Sequence, residues 1–380
     1  MKLVVDENIV LAEEAFGSLG NVLLINGRRI TNEILHDADA LIVRAITNVN
    51  KELLTNTTVK FVGTATIGTD HIDVDYLKQE GIRFSDAKGC NANSVAEYVI
   101  TALMNIAVEN NYSLKNKSIG IIGAGNIGSR VVELANAMGL KVLKNDPPKE
   151  RENFGSGYSK LGEVLQADIV TLHVPLNLTG VDKTFHLLNE DNLIKLKQGA
   201  ILINTSRGSV IDNDTLKKII DKKQLKVVLD VWEGEPLIST ELLRKVNIGT
   251  PHIAGYSLEG KVNGTKMIYD SLKKFTNTNT DWIPQLPIVK ENEIEFPATG
   301  TEEEKLNHIF AQIYNIKKDD SLIRKLLIIK KDEGGRYFDK LRKKYPGRRE
   351  FCNYTIKIKD DDNVFNHLLG KLGFKLAISK

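Results

Sequence analysis

The sequence predicts an α/β protein: two domains built on doubly wound parallel sheets, followed by a small C-terminal α+β domain. Three observations predict it. Short runs rich in Val, Ile and Leu recur in two series, as parallel strands covered on both faces require. The stretches between them carry apolar residues at helical spacing. One glycine-rich turn, Gly123–Gly128, stands between such a run and such a helix.

The first series is Lys2–Val5, Val22–Ile25, Ala40–Val43 and Lys60–Gly63. The second is Ser118–Gly123, Lys141–Leu143, Asp168–His173, Ala200–Asn204, Val227–Asp230 and Asn247–Thr250. A long helix is predicted over Asn93–Asn110, where Val95, Val99, Leu103 and Ala107 form one stripe; it links the two series. A second helix, Ser257–Phe275, follows the last run and returns the chain to the first domain. Pro284, Pro287 and Pro297 then mark a linker. Helical pattern at Glu302–Tyr314 and Arg336–Tyr345, a strand at Tyr354–Ile358, a helix and a last strand complete the chain. The expected domains are 1–92 with 256–280, then 93–255, then 281–380.

Composition narrows the function. The 380 residues are 42% hydrophobic and 27% charged with a formal net charge of +3, which gives no bulk electrostatic case for nucleic acid or a membrane surface. Two cysteines, Cys90 and Cys352, exclude a disulfide scaffold and fit a reducing compartment. Asp6 and Glu7 interrupt the N-terminus before any run long enough for a signal peptide, and no apolar stretch approaches the roughly 20 residues that span a bilayer. A cytoplasmic enzyme or ligand binder is expected. The His residues show no metal-ligand spacing, so no metal is expected. Cys90 reads as a small packed residue rather than a nucleophile.

The Gly123-Ala124-Gly125-Asn126-Ile127-Gly128 turn follows the strand Ile119–Ile122 and opens a helix through Val131, Leu134, Ala135 and Met138. Gly123 permits the tight turn, Gly125 lets the backbone approach a pyrophosphate, and Gly128 lets the helix lie on the strand. This is the signature of a Rossmann dinucleotide-binding domain. Asp146, eighteen residues after Gly128 at the end of the next strand, can accept bonds from the ribose hydroxyls and would repel a 2′-phosphate. NAD is therefore the expected cofactor.

Three later turns supply chemistry, each directly after a strand: Thr205-Ser206-Arg207-Gly208, Val231-Trp232-Glu233-Gly234-Glu235-Pro236 and Pro251-His252-Ile253-Ala254-Gly255. Ligands bind beyond the carboxyl ends of strands in open α/β sheets, so topology draws Arg207, Glu235 and His252 together. Arg207 can fix a carboxylate or an oxygen at C2. His252 can take a hydroxyl proton as hydride leaves the same carbon. Glu235 would orient the imidazole and stabilise the imidazolium. Asp230 could hold the nicotinamide carboxamide, and Trp232 reads as core or pocket wall.

These segments, in this order, resemble the D-isomer-specific 2-hydroxyacid dehydrogenases over about residues 1–280. Further stretches that carry the resemblance are Asp6-Glu7-Asn8, Val62–His71, Gly89–Ala92, Asp146-Pro147-Pro148 and His252–Gly260. The last domain, through Phe338–Lys343 and Arg348–Glu350, is similar to the C-terminal dimerisation module of members that act on a phosphorylated 2-hydroxy acid. The resemblance implies NAD-dependent hydride transfer, with Arg207 and Glu235 assisting and His252 as acid/base. It implies cofactor contacts from the Gly123–Gly128 loop (Gly123, Gly125, Asn126, Ile127, Gly128), Asp146, Thr205, Ser206, Arg207, Asp230 and Gly255. Substrate contacts are implied at Arg44, Ala45, Thr66 and Tyr256. Ala45 stands where the family often has Ser, and Val174 stands where a hydroxyl would touch NAD.

The resemblance also implies a homodimer through the C-terminal domain. A phosphorylated substrate needs extra positive charge. Arg44 is the first candidate; the basic stretch Arg336, Lys340, Arg342, Lys343, Lys344, Arg348 and Arg349 is the second, reaching a partner's site or forming a solvated face. Three alternatives stay open: a relative acting on 3-phosphoglycerate, an NADH-sensing corepressor, and a regulatory role for the last domain.

Overall fold

The N-terminal series forms one parallel sheet of β1 (Lys2–Asp6), β2 (Asn21–Ile25), β3 (Ala40–Val43), β4 (Phe61–Thr64) and β5 (Arg83–Asp86), in the order β2-β1-β3-β4-β5. This is the flavodoxin-like doubly wound order, with its switch point between β1 and β3. The computed structural model describes residues 1–152, 157–297, 299–358 and 363–378. β3 and β4 are buried throughout, as their unbroken apolar runs require. β5 has no such run: it is a polar, partly exposed edge strand, which a search for apolar runs misses. The helix Leu258–Thr276, capped by the Ser257 side chain, lies on this sheet. Its Val262, Ile268, Tyr269 and Leu272 share a core with Leu3, Val5, Ile42 and Phe61.

The second sheet comprises β6 (Ser118–Ile122), β7 (Lys141–Asn145), β8 (Ile169–Leu172), β9 (Ile201–Asn204), β10 (Lys226–Leu229) and β11 (Ile248–Gly249), in the order β11-β10-β9-β8-β6-β7. Every pairing in it is parallel. The carboxyl ends therefore lie along one edge, and Gly123, His173, Thr205, Asp230 and Thr250 emerge there. The switch point falls between β6 and β8, beside the glycine-rich turn.

The third sheet, β12 (Glu293–Ile294), β13 (Thr355–Ile358) and β14 (Lys375–Ile378), is parallel in the order β12-β13-β14. Its surrounding helices bury their apolar faces against the second sheet's helices. Leu306, Phe310, Phe351 and Phe374 join Tyr98, Leu103, Ile119 and Leu134 in one core, where Phe351 stacks on Phe374 at 4.7 Å and on Phe310 at 4.8 Å. Ile323, Leu326 and Phe338 join Val227, Trp232 and Leu242 in another.

Contacts divide the chain into two units: Met1–Asn91 with Ser257–Ile288, and Ala92–Tyr256 with Val289–Lys380. Of the C-terminal segment, expected as a domain by itself from residue 281, the part from Val289 onward falls within the second unit, while 281–288 stay with the first. Two physical needs account for this. The helix Ala92–Glu109, expected to bury one stripe, is apolar and buried on nearly all sides, including Tyr98, Ile100, Met104 and Ile106, so a second layer must cover it. β11 is an edge strand whose Gly249 N–H needs an acceptor. Asp320 supplies it at 2.8 Å, held by Arg324 Nε at 2.8 Å. Among the described residues, no helix is long and apolar enough to cross a membrane.

Candidate active site

The glycine-rich turn has the shape that its sequence demands. Gly123 has a φ of 88°. A Cβ on Gly128 would lie 1.9 Å from the Gly123 carbonyl oxygen, whereas a Cβ on Gly125 would meet nothing within 4 Å. Gly125 caps the helix Asn126–Ala137 without a side-chain bond. The first-turn N–H groups of Asn126, Ile127 and Gly128 thus stand beside open space that a larger residue would fill, and they fit a pyrophosphate. Asp146 lies next to them. Its Oδ2 accepts from Ala124 N at 2.8 Å and its Oδ1 from Lys149 N at 3.1 Å, which leaves carboxylate lone pairs for ribose hydroxyls.

Beyond β8 and β9, His173 is buried between two hydroxyls: Nε2 lies 3.0 Å from Thr171 Oγ1 and Nδ1 lies 3.2 Å from Thr205 Oγ1. Burial pushes its imidazole down to about 3, so the ring is neutral. Asn204 shapes the next turn. Its Oδ1 accepts from Ser206 N at 3.0 Å and Ser206 Oγ at 2.7 Å, and its Nδ2 donates to Arg207 O at 3.0 Å. The Thr205 and Ser206 hydroxyls are therefore engaged inside the protein. Gly208 lets this turn touch the next one, since a Cβ there would lie 1.9 Å from Trp232 C. The Arg207 turn is thereby set against the loop that carries Glu235.

His252 Nδ1 lies 2.8 Å from Glu235 Oε2. Burial pushes the Glu235 carboxyl up, but the His252 charge and hydrogen bond and the Trp232 N–H outweigh it and hold it below its ordinary value. An ionised carboxylate is acceptor-only, so Nδ1 carries a proton toward it, and whenever the ring is neutral the lone pair is on Nε2. Trp232 N donates to Glu235 Oε1 at 2.8 Å, and the Trp232 indole N–H donates to Thr250 O at 2.9 Å. Trp232 is thus a buried strut between the two loops.

The loop that carries His252 is held on both faces. His252 itself has a φ of 57°, a left-handed conformation rare for a residue with a side chain. Its N–H donates to Asp230 O at 2.7 Å. The Asp230 carboxylate accepts from Ile253 N at 2.7 Å, Ala254 N at 2.9 Å and Thr250 Oγ1 at 2.6 Å. On the carbonyl side, Arg348 donates to Ile253 O at 3.2 Å, to Ala254 O and to Ser94 O at 2.7 Å. Asp230, an expected cofactor contact, is 1% exposed as a residue, and its carboxylate holds this loop. Arg348, expected as a phosphate candidate for a partner's site, is instead a buried clamp within its own chain, its guanidinium also 4.5 Å from the Tyr314 ring. Gly255 and Tyr256 follow the clamped peptides, and Tyr256 meets Tyr345 edge-on at 5.9 Å.

The remaining expected residues lie in the first unit. Arg44 follows β3 at that sheet's switch point and donates to Asn8 O, just after β1, at 3.1 Å. Ala45 beside it is exposed. Thr66, shortly after β4, has its hydroxyl 2.8 Å from Thr64 Oγ1 and donates to Gly68 O at 3.1 Å. Among the described residues, Cys90 and Cys352 form no disulfide. Among the described residues, no group of three or more His, Cys, Asp or Glu is placed to hold a metal ion.

Comparison with known proteins agrees with this architecture. A family model described as the NAD binding domain of D-isomer specific 2-hydroxyacid dehydrogenases matches residues 101–254, and one described as a domain of unknown function (DUF3410) matches residues 285–373. The erythronate-4-phosphate dehydrogenase of Hydrogenovibrio crunogenus is 42% identical over 376 residues, 98% of each chain. That of Tolumonas auensis is 44% identical over 381 residues, 99% of this chain and all of its own. The chain belongs to the erythronate-4-phosphate dehydrogenase family. It is an NAD-dependent oxidoreductase of the D-2-hydroxyacid dehydrogenase fold. Among solved structures, the NAD-bound 3-phosphoglycerate dehydrogenase of Entamoeba histolytica has a TM-score of 0.61 at 27% identity, covering 74% of this chain and 99% of its own. The Aquifex aeolicus D-lactate dehydrogenase with NAD and lactic acid has a TM-score of 0.57 at 26% identity, covering 73% and 96%.

Two measurements test this account of the dehydrogenase. Arg348→Met leaves buried carbonyls without donors and should destabilise the fold by about 2–5 kcal/mol. It should lower turnover at least tenfold while NAD affinity is retained; unchanged turnover would show that the clamp does not govern His252. His173 supplies a pH signature. Its imidazole is near 3 folded against an ordinary 6.5, so the unfolded state binds the proton first. Stability should fall as pH drops below about 6.5, by up to about 1.4 kcal/mol per unit. Chemical denaturation at several pH values should show that slope flattened in His173→Gln.

Proposed function

We propose that the protein oxidises 4-phospho-D-erythronate at C2 to 2-oxo-3-hydroxy-4-phosphobutanoate, a step in pyridoxal 5′-phosphate biosynthesis. The observation that carries this reading is the ionised Glu235 beneath His252, on loops at the same sheet edge as the glycine-rich turn, in a chain related over its length to enzymes of that name.

NAD, when bound, accepts the hydride from C2. The Gly123–Gly128 turn and Asp146 would hold its pyrophosphate and ribose, with Thr205, Ser206, Arg207 and Gly255 nearby at the strand ends. His252 Nε2 takes the proton of the C2 hydroxyl as the hydride departs, and Glu235 stabilises the imidazolium that results. Arg207 fixes the carboxylate or the C2 oxygen by its planar fork. Asp230 and Trp232 keep the His252 and Glu235 loops in register. Arg44, Ala45, Thr66 and Tyr256 are proposed as substrate contacts.

The reading includes a homodimer formed through the C-terminal segment, and a cytoplasmic location, with which two cysteines outside any disulfide are consistent. The last helix and edge strand β14 expose Val364 (80%) and Ile378 (63%) together with Leu376, an apolar surface that a second copy of this chain would cover.

A panel of phosphorylated and unphosphorylated 2-hydroxy acids, followed at the nicotinamide absorbance, tests the reaction. 4-Phosphoerythronate should be the best substrate, and His252→Ala should lower its turnover by about 100- to 10,000-fold with NAD binding intact. A clear preference for 3-phosphoglycerate or lactate would overturn the assignment. Light scattering of the full chain should give the mass of two subunits. The double variant Val364→Glu, Ile378→Lys should give one; a variant that stays dimeric removes this surface from the interface.

A further inference from the structure

One cation beside the catalytic pair has no part in the mechanism above. The helix Lys331–Lys343 turns a single face, Gly335, Phe338 and Arg342, toward the loops of the second sheet. Gly335 sits against the Glu235 loop: a Cβ there would lie 3.1 Å from Leu237 Cδ2 and 3.4 Å from Pro236 Cγ. Phe338 is fully buried in the core that contains Trp232. One turn further along the same face, Arg342 is hydrogen-bonded to Tyr256, and its charge acts on Glu235 and Asp230. Its Nε is buried without an acceptor.

That arrangement is not what anchoring the helix requires. Gly335 and Phe338 already dock it, and an aliphatic side chain at 342 would complete the apolar face without burying a charged donor. An unsatisfied buried donor costs about 1–3 kcal/mol, more on a charged group. A guanidinium kept at that cost beside an acid/base pair is expected where a ligand supplies the acceptor. Its planar fork matches the paired oxygens of a phosphate.

We infer that Arg342 binds the phosphate of the substrate, with Tyr256 fixing the orientation of its guanidinium. The inference rests on the reaction proposed above. It gives the two ends of the substrate separate cations: Arg207 from the turn after β9 for the carboxylate end, and Arg342 from the C-terminal helix for the phosphate end. Discrimination between phosphorylated and plain 2-hydroxy acids then resides in the C-terminal segment.

The test is the ratio of kcat/KM for 4-phosphoerythronate to kcat/KM for D-erythronate, measured in the full-length wild type, Arg342→Met, Arg342→Lys and Arg44→Met. The ratio should fall by about 100-fold or more in Arg342→Met, as expected when two charge-assisted bonds are lost. It should recover in part in Arg342→Lys, which keeps the charge and guards against a variant that fails to fold. NAD affinity should change little. Equal losses on both substrates, or a ratio that falls in Arg44→Met alone, would overturn the assignment of Arg342 and leave the reaction standing. A wild type with no preference for the phosphorylated acid would overturn the reaction as well.

Discussion

Two buried charges hold the peptide units that follow His252, and the chemistry of the second unit depends on them. Asp230 is 1% exposed and Arg348 9%. A charge so placed is costly unless it is fully paired. Here much of the pairing is with backbone: the N–H groups of Ile253 and Ala254 on one side, their carbonyls on the other. The left-handed His252 is disfavoured by about 1–2 kcal/mol, while each bond to a charged group contributes about 1.5–3 kcal/mol. The clamp outweighs the strain, so the imidazole's position is over-determined rather than left to a flexible turn.

That clamp explains why the C-terminal segment cannot be treated as an appendage of the second unit. Arg348 reaches Ile253 across 95 residues of sequence. Asp320 and Arg324 close the β11 edge, Arg324 through the carbonyls of Leu243, Val246 and Asn247. Phe310, Phe351 and Phe374 cover the helix Ala92–Glu109 and its neighbours. A Rossmann sheet ordinarily closes with helices supplied between its own strands. Here part of its cover and the support of its histidine come from far downstream, so a truncated chain would lose both core and loop geometry.

The legible parts of the sequence were those in which chemistry and strand position coincide. The β6 run, the glycine turn and Asp146 form one local pattern, and Glu235 and His252 each lie within a few residues of a strand end. The polar edge strand β5 was not legible, because exposure removes the apolar signal. Nor was the clamp. Arg348 and Arg342 stand in a run of like-charged residues that reads as a solvated face, and only tertiary packing shows that these two turn inward. Residue types alone mislead in the other direction as well. His186 Nε2 lies 2.7 Å from Glu233 Oε1, a second imidazole–carboxylate pair in the same unit. What distinguishes the Glu235 pair is its setting, with Trp232, Asp230 and Arg348 fixing both loops.

The electrostatics of this sheet edge account for the need for guanidinium groups on more than one segment. Asp230 and Glu235 hold the loops in place, and in the proposed reading Asp146 holds the cofactor ribose. Like charges some 5–6 Å apart repel by about 3 kcal/mol at an effective dielectric of 20, so carboxylates that organise the site also oppose an anionic substrate. Bringing in compensating lysines would leave mobile, strongly hydrated charges near the reacting carbon. Arginine forks keep their charge when buried and fix oxygen pairs in a plane, which converts a repulsive edge into one that selects anions by geometry. On the reaction proposed above, the acids position the histidine and the arginines admit the substrate, so each set depends on the other.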